Sequence, residues 1–481
     1  MNDPNVDQNV FDANQVKKET ENPEVLPKVE ANPVTLIDKQ KIISSDRKFP
    51  KNIILILVVV LLLLVAIILL SKLFISSRVT QKQTVITWWS LEEDASAVVP
   101  LIHEYEQKNP NVKVQFISQS QQDYQERLVN ALAKGNAPDI FEFHNSWLPI
   151  VGSNLAPTKD DFSSIFYPVA ISDLKTKNGF LGVPLEYDGI ALFTNLDILQ
   201  SFGKNSPKTW DEFRKIASEL TIRDAQGNIK QAGAALGVTS NIDYWQDIIA
   251  LLMLQNGADL TSPSTGGGPS ALTFYTNFSK VDRVWDETLP TSKVDFENGQ
   301  LAMYFGSYKD TFAIRKQNPN LHFAVVPLPQ LPTDSPTIPS VSYANYWVNG
   351  VSMASSNKTA AWNFLKFMTT QNALRKLYLS EKSVRGYGNL YPRVDMQKEL
   401  LNDTQAAPFI YQASFAKKWY LNANTYDAPT GINSQIAKPF SDAIESMNGN
   451  GTVEAALNDA QGNITKILSS YGLVAAPVAT P

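Results

Sequence analysis

TVITWWSLEEDASAVVPLIHEYEQKNPNVKVQFIS, residues 84–118, is the stretch that decides the fold. It opens with β-branched and aromatic residues, Thr84 to Trp89, which predict a strand. Apolar residues then recur at spacings of three and four from Asp94 to Lys108, which predicts a helix that ends at Asn109-Pro110-Asn111. Val112 to Ile117 alternates in polarity and predicts a second strand, so the region begins as an α/β fold.

The same alternation continues downstream. Asp123 to Lys134 predicts a helix that Gly135 can cap, and Ile140 to Phe143 predicts a third strand. Strand, helix, strand, helix and strand indicate a parallel sheet with helices on its faces, where ligands bind beyond the carboxyl ends of the strands. The side chains expected near those ends are Trp88, Trp89, Ser90, Phe143, His144, Asn145 and Trp147.

Three further elements are predicted in the middle of the chain. Thr209 can cap a helix whose first turn carries Asp211 and Glu212, which suit the helix dipole. Ala234 to Val238 predicts a strand, and Asp243 to Gln255 predicts a helix. These elements extend the α/β pattern into the second half of the region.

The most apolar part of the chain, Ile53 to Leu70, precedes this region. A helix over this run spans about 27 Å, close to the hydrocarbon core of a bilayer. The run and its polar leader are too long for a cleaved signal peptide, and no small-x-small cleavage site follows. We therefore predict a transmembrane anchor at 52–75, followed by a linker at 76–83.

The leader, residues 1–51, is rich in Asn, Asp, Glu, Lys and Pro, with Phe11 and Phe49 as its aromatic residues. Such a composition buries too little apolar surface to order itself, so disorder is predicted there and at 476–481. Basic residues are more frequent before the span than after it. This bias predicts a cytoplasmic N-terminus and an extracellular main domain in the cell membrane.

Composition excludes several kinds of site. The 481 residues contain no cysteine, which excludes disulfides, thiolate metal sites, a cysteine nucleophile and a lipid-modified N-terminal cysteine. The net charge of −5 has both signs interspersed, so no nucleic-acid partner is predicted. No paired-histidine motif, nucleophile elbow, phosphate-binding glycine loop or dinucleotide fingerprint occurs, so we expect no cofactor, no metal and no catalysis.

Seven short stretches in order carry a resemblance to a known family. They are the opening strand and helix through Glu106-Gln-Lys-Asn-Pro, Gly135-Asn-Ala-Pro-Asp-Ile, Gly182-Val-Pro through Phe193-Thr-Asn, Pro207-Lys-Thr-Trp-Asp-Glu-Phe, Phe296-Glu-Asn-Gly-Gln-Leu-Ala-Met, Ala354-Ser-Ser-Asn-Lys-Thr-Ala-Ala-Trp-Asn-Phe-Leu and Val453-Glu-Ala-Ala-Leu-Asn-Asp-Ala-Gln. Over Thr84 to Tyr471 the chain resembles the bacterial extracellular solute-binding proteins typified by the maltose-binding protein, the substrate-binding components of ABC transporters.

The resemblance implies a two-lobed periplasmic-binding-protein fold of type II over 84–475, with discontinuous lobes and a hinge. Lobe one would take about 84–192 and 296–329, and lobe two about 193–295 and 330–475. The resemblance further implies a monomer that captures a small polar ligand, a sugar or oligosaccharide, and delivers it to the permease subunits of an ABC importer.

Sugar sites combine aromatic rings, which stack on C–H faces, with carboxylates or amides that accept hydroxyl protons. Family positions and strand ends give the candidate ligand-binding residues Trp89, Glu92, Phe143, Asn145, Trp147, Asp188, Tyr244, Trp245, Tyr308, Tyr346 and Trp347. By the resemblance, Asp188 lies where the family has an acidic sugar ligand, and Tyr308 where it has a stacking tryptophan.

Some of these candidates have structural alternatives. Trp88 and Trp89 are adjacent on a strand and point to opposite faces, so one is expected in the core. Glu92 and Glu93 can instead form a solvated helix start. Trp285 and Trp362 are expected to pack.

Two other functions remain open from sequence. A membrane-anchored glycoside hydrolase also needs aromatic residues and two carboxylates, which in an inverting enzyme lie about 6.5 to 9.5 Å apart. A ligand sensor would signal through the anchor. Neighbouring permease genes would favour import, and a neighbouring histidine kinase gene would favour sensing.

Overall fold

A computed structural model describes residues 50–76, 83–332 and 339–475. The chain divides into two compact units, Met1–Val79 and Thr80–Pro481. The tails predicted to be disordered and most of the predicted linker lie outside the described residues.

In the first unit, helix α1 runs over Lys51–Ser76 and contains the whole predicted anchor. Its side chains from Leu55 to Leu70 are exposed. Within residues 50–76, 83–332 and 339–475, no helix is both long enough and apolar enough to qualify as a membrane span.

The strands all belong to the second unit. They are β1 (Thr84–Ser90), β2 (Val112–Ser118), β3 (Ile140–His144), β4 (Lys175–Thr176), β5 (Gly179–Phe180), β6 (Val183–Pro184), β7 (Ile190–Asn195), β8 (Ile222–Arg223), β9 (Ile229–Gln231), β10 (Met303–Ser307), β11 (Phe323–Val326), β12 (Ser342–Tyr343), β13 (Trp347–Val351) and β14 (Ala416–Lys417).

Helices connect these strands. They are α2 (Ala95–Lys108), α3 (Tyr124–Ala133), α4 (Leu148–Val151), α5 (Pro168–Leu174), α6 (Leu196–Ser201), α7 (Trp210–Leu220), α8 (Trp245–Gln255), α9 (Gly268–Lys280), α10 (Ser292–Glu297), α11 (Tyr308–Gln317), α12 (Lys358–Met368), α13 (Gln371–Arg385), α14 (Gln397–Leu400), α15 (Ala407–Gln412), α16 (Ile432–Asn448) and α17 (Val453–Ser470). Short 3₁₀ turns lie at Asn145–Trp147, Gly152–Asn154, Val394–Met396 and Ala413–Phe415.

The opening strands form the sheet that the sequence predicted. The five-stranded sheet has the order β2-β1-β3-β13-β6, with β1 parallel to both β2 and β3. Strand β13 joins it antiparallel to β3 and β6. Helix α12 packs on β1 and β13 and helix α2 on β2, so strand β3 is buried along its whole length.

A second sheet forms further along the chain. It has three strands in the order β10-β7-β11, and β7 pairs antiparallel with both neighbours. Helices α6, α10, α11 and α15 pack against these strands. The structure therefore has two α/β cores, one around each sheet.

Strand pairing corrects the predicted division into lobes. Strands β10 and β11 were expected in lobe one but pair with β7 in the second sheet. Strand β13 was expected in the second lobe but pairs with β3 in the first sheet. Both neighbours of β7 come from residues 303–326, so this stretch belongs to the second sheet.

The chain passes between the two sheets at two adjacent segments. Gly189 and Ala344 bridge, and Asn345 N–H donates to the Asp188 carbonyl at 2.9 Å. A Cβ on Gly189 would lie 2.5 Å from the Tyr343 carbonyl oxygen, so the close approach of the two segments requires glycine there. We call residues 188–189 and 344–345 the crossing.

One predicted strand, Ala234 to Val238, is wrong. The segment is buried but has no ladder hydrogen bonds, and it runs between helices α7 and α9. Gly237 has a φ of +107°, and a Cβ on Gly233 would lie 1.8 Å from the Ala217 carbonyl oxygen. The apolar run therefore indicated burial rather than a strand. The predicted cap at Thr209 is confirmed, and Thr209 and Glu212 form a capping box at the start of α7.

Candidate ligand-binding cleft

A cavity of about 300 Å³ lies between the two sheets, at the crossing. Its lining is dominated by charged and polar side chains: Glu92, Glu186, Asp188, Asp243, Tyr244, Lys293, Ser307, Lys309, Asp310, Asn345, Trp347, Asn424 and Tyr426.

The lining comes from four places. The first wall belongs to the five-stranded sheet and consists of Glu92, which follows β1, Glu186, which follows β6, and Trp347, which begins β13. The second wall, from the ends of α8, α10 and α11 beside the three-stranded sheet, consists of Asp243, Tyr244, Lys293, Ser307, Lys309 and Asp310. The crossing contributes Asp188 and Asn345. Segment 421–427, between β14 and α16, contributes Asn424 and Tyr426.

On the first wall, a buried carboxylate anchors the turn after β1. The Glu142 carboxylate accepts hydrogen bonds from Ser90 Oγ, Leu91 N and Glu92 N at 2.8, 2.6 and 3.0 Å. Burial raises the pKa of Glu142 to about 7, and the charge of Glu92 adds to this, while the three donated hydrogen bonds oppose it. This anchor holds the backbone of Glu92 at the cavity.

Glu186 is the least satisfied acid of the lining. Its residue is 3% exposed, and its carboxylate accepts no hydrogen bond from the part of the chain that the structure describes. The Lys309 ammonium lies 3.9 Å from its Oε2. Burial raises the pKa of Glu186 to about 8, and the neighbouring charges of Glu92 and Asp188 act in the same direction.

On the second wall, Asp310 gathers donors. Its Oδ2 accepts from Tyr244 Oη at 2.7 Å and from Ser307 N at 2.9 Å, and its Oδ1 lies 2.7 Å from Lys293 Nζ. Ser307 and Asp310 also form the capping box of helix α11. The Asp310 carboxylate therefore both caps this helix and holds Tyr244 and Lys293 at the cavity.

Asp243 is held in a similar way. Its Oδ2 accepts from Ser292 Oγ at 2.7 Å and from Lys293 N at 2.8 Å, which ties the approach to α8 to the first turn of α10. The second wall is thus a connected network whose acids already have their donors.

Lys309 joins the two walls. It stands on α11, beside the second sheet, and its Nζ donates to Glu92 on the first wall. Burial alone would lower the pKa of Lys309, but the charges of Glu186, Glu92 and Asp188 raise it well above its usual value. Lys309 therefore stays charged and attracts the first wall to the second.

The crossing is fixed by hydrogen bonds from both sides. Asp188 Oδ1 accepts from Gly189 N at 2.8 Å and from Tyr308 N, the first residue of α11, at 3.3 Å. Burial raises the pKa of Asp188 to about 7, although the positive charge of Lys309 acts to lower it. Asn345 donates through Nδ2 to the Ala423 carbonyl at 3.1 Å, and its Oδ1 contacts His144 Nε2.

Two aromatic rings of the cavity lining stack on each other. Trp347 and Tyr426 have ring centroids 6.2 Å apart and planes inclined by 20°. Trp347 is 5% exposed and rests edge-on against Trp147, whereas Tyr426 is 38% exposed. Asn424 and Tyr426 both have positive φ, 55° and 53°, a strained backbone for such residues that recurs at ligand sites.

The structure brings four of the predicted site residues together in the cavity: Glu92, Asp188, Tyr244 and Trp347. Glu93, by contrast, is buried rather than solvated, and Trp88, Trp285 and Trp362 pack in the core as expected.

The other predicted site residues lie outside the cavity lining. Phe143 and Trp147 are fully buried in the core of the first sheet, where their rings pack against Phe141 and Trp347 respectively. Asn145 and Tyr346 both bond to Asp173, at 3.3 and 2.5 Å. Trp89 is half-buried against the core, Trp245 opens helix α8, and Tyr308 packs on Phe312 and Phe409.

Sequence reasoning missed nine lining residues, namely Glu186, Asp243, Lys293, Ser307, Lys309, Asp310, Asn345, Asn424 and Tyr426. The Ser307–Asp310 capping box is a sequence signal that could have identified the start of α11 and moved attention from Tyr308 to its neighbours. Segment 421–427 carries no comparable signal. Within the described ranges, no group of His, Asp and Glu could hold a metal ion.

Curated relatives share low identity over much of the chain. It is 23% identical over 347 residues to a maltotriose-binding protein of Pyrococcus abyssi, covering 68% of this chain and 70% of that protein. It is 21% identical over 255 residues to the putative ABC transporter periplasmic-binding protein YcjN of Escherichia coli, covering 49% of this chain and 58% of that protein.

Solved structures share the fold. A cyclo/maltodextrin-binding protein complexed with maltotetraose superimposes with a TM-score of 0.65 at 16% identity, covering 80% of this chain and 97% of that chain. An ABC transporter solute-binding protein of Thermotoga lettingae bound with α-D-tagatose gives 0.60 at 20% identity, covering 80% and 100%. The two α/β cores therefore form the two lobes of a periplasmic-binding-protein fold, and the cavity lies in the cleft between them.

The family model for bacterial extracellular solute-binding proteins matches residues 100–408. This match confirms the predicted family and identifies a binding protein rather than an enzyme, so the glycoside hydrolase alternative has no support. The chain belongs to the bacterial extracellular solute-binding protein family.

Proposed function

We propose that this chain captures a carbohydrate outside the cell and delivers it to the permease subunits of an ABC importer. Its family supports binding for transport, and the relative from Pyrococcus abyssi is a maltotriose-binding protein. No described feature of the structure favours ligand sensing over import.

The observation that carries the carbohydrate is the composition of the cleft. Carboxylates and amides on both walls can accept hydroxyl protons, and Trp347 and Tyr426 offer flat rings for the C–H faces of a sugar. The volume of about 300 Å³ is at the low end of small-molecule pockets, about 300 to 1,000 Å³. A ligand of one or two sugar rings therefore suits the cleft better than a long chain.

A hinge at the crossing would let the cleft open and close. Residues 188–189 and 344–345 run side by side between the sheets. The chain passes between the lobes a third time after Arg393, which forms a β-bridge with Phe166 of the first lobe. Short adjacent crossings allow rotation of one lobe against the other, and a ligand that contacts both walls shifts the population toward the closed form.

We also propose that 52–75 anchors the protein in the cell membrane as a single span, with residues 1–51 cytoplasmic and the binding domain extracellular. The apolar sequence from Ile53 to Leu70 and the helical conformation of Lys51–Ser76 support this. Retention in membranes after a carbonate wash, with Met1 still present, tests it. A released form that starts near Ser76 would contradict the anchor.

Ligand screening tests the binding function. The full-length chain, kept in mild detergent because of helix α1, is heated with a panel of mono- and disaccharides. A ligand at 100 times its dissociation constant should stabilise the fold by about 2.7 kcal/mol, which appears as a higher melting temperature. Recovery of the sugar unaltered is expected, and failure of every saccharide to raise the melting temperature would contradict the function.

A further inference from the structure

The cleft contains more carboxyl groups than cations that could pair with them. Five carboxylates line it, from Glu92, Glu186, Asp188, Asp243 and Asp310, whereas two cations do, Lys293 and Lys309. Neutral sugars need acceptors but no net charge, so this excess is a property that hydroxyl recognition alone does not require.

Four of the five acids already have donors or a cation. Asp310 and Asp243 belong to the network of the second wall, Asp188 accepts two backbone N–H groups, and Glu92 pairs with Lys309. Glu186 differs, because it accepts no hydrogen bond within the described part of the chain, although it is 97% buried and lines the cavity. A buried carboxylate without a donor has unused capacity for a ligand.

The layer behind Glu186 is acidic as well. Glu93, Glu142 and Glu381 are 2%, 1% and 0% exposed, and the guanidinium of Arg385 lies 3.0 Å from Glu381. Arg385 is the cation beside these three buried carboxyl groups, and Glu142 is among the acids whose charge raises the pKa of Glu186, so a cation that bound beside Glu186 would be favoured there.

We propose that the ligand is an amino sugar, whose protonated amine binds Glu186 between the crossing and the first wall while its hydroxyls and ring use the rest of the cleft. This inference rests on the proposed function. The pKa values support it independently of the contacts, because burial raises those of Glu186 and Asp188 to about 8 and about 7. The carboxyls therefore hold protons near neutral pH, and the charge of a bound ammonium can replace them.

Matched pairs of sugars isolate the contribution of the amine. Calorimetry on the full-length chain at pH 6.5, where the sugar amine is protonated, compares glucosamine with glucose, galactosamine with galactose, mannosamine with mannose, and the β-1,4-linked glucosamine disaccharide with cellobiose. Spermidine serves as an amine without a sugar ring. We expect at least one amino sugar to bind about tenfold or more tightly than its neutral partner, since that ratio equals about 1.4 kcal/mol.

Glu186→Gln keeps the shape of the side chain but cannot ionise when the ammonium binds. It should reduce the preference for the amino sugar over its neutral partner to about threefold or less. Glu445→Gln, an exposed carboxylate on α16, is the matched control and should change neither affinity. The melting temperature of each variant confirms that it folds.

The possible outcomes distinguish failure of the amino-sugar inference from failure of the proposed carbohydrate-binding function. If sugars bind but no amino sugar binds about tenfold more tightly than its neutral partner, the inference is overturned and the binding function stands. If spermidine binds as tightly as the best amino sugar, the amine is recognised without the ring, and the inference is likewise overturned. If no saccharide of this set or of the wider panel binds, the proposed function itself is overturned.

Discussion

Glu186 on the first wall and Asp310 on the second are both buried acids, 3% and 5% exposed, yet their surroundings differ. Asp310 accepts from Tyr244 and Ser307 and contacts Lys293, whereas Glu186 has the more distant Lys309 ammonium alone. The second wall is therefore organised before a ligand arrives, and the first wall retains capacity for one. Identical chemical groups at one cleft can thus serve as scaffold and as recognition element.

The largest effect is expected on the second wall. Asp310→Ala removes the acceptor shared by Tyr244, Ser307 and Lys293, and leaves a cation without its partner. We expect a loss of about 3 kcal/mol of stability, since hydrogen bonds to a charged group are each worth about 1.5 to 3 kcal/mol. Thermal unfolding measures it, with Asp442→Asn on the exposed face of α16 as control. An unchanged melting temperature would mean that the network is not a scaffold.

Trp347 and Trp147 sharpen the comparison, because their rings touch edge-on at 5.3 Å and one of them lines the cavity. Trp347→Ala should weaken sugar binding about tenfold or more, through loss of stacking and burial. Trp147→Phe should lower the melting temperature and leave affinity within about twofold. Titration calorimetry with the best sugar decides, and a binding defect in the second variant but not the first would reverse the assignment.

A smaller effect is expected at the crossing. Asp188→Asn removes a charge-assisted acceptor but keeps a side-chain oxygen for Gly189 N and Tyr308 N. Affinity should fall about fivefold, or about 1 kcal/mol. Calorimetry under the same conditions measures it. Full affinity in this variant would remove Asp188 from the ligand contacts.

The smallest effect is a pH dependence on the first wall. Burial raises the pKa of Glu186 to about 8 in the folded protein, above its usual value near 4.3, so its proton stabilises the fold below pH 4 and this contribution is lost as pH rises through 8. Glu186→Gln should abolish this loss of stability, because a glutamine side chain does not titrate. Its melting temperature should rise relative to that of the unmodified protein by a few °C between pH 5 and pH 9. A difference that stays constant over this range would contradict the account.

The start of the first lobe could be predicted from the sequence because each of its elements depends on a pattern of neighbouring residues. Strand β1, helix α2 and strand β2 each follow from periodicity within residues 84–118, and their bounds agree with the structure to within about one residue. The partners of β7 could not be read in the same way. Short apolar strands pair with whatever the tertiary fold places beside them, so β10, β11 and β13 were assigned to the wrong lobes.

The candidate site was predictable where it follows a strand or a family position, as for Glu92, Asp188 and Trp347. The prediction was wrong for Phe143, which lies within β3 with its side chain in the core. Tyr426 was not predictable at all, since its approach to Trp347 depends on a left-handed backbone conformation that no residue pattern in 421–427 requires.

The central claim is that one ligand bridges the two walls of this cleft. A crystal structure of the full-length chain with the saccharide that raises its melting temperature most tests this claim directly. The account predicts a sugar ring against Trp347, with polar contacts to Glu186 on the first wall and to the Asp310 network on the second. A sugar bound outside the cavity, or in contact with one wall alone, would contradict it.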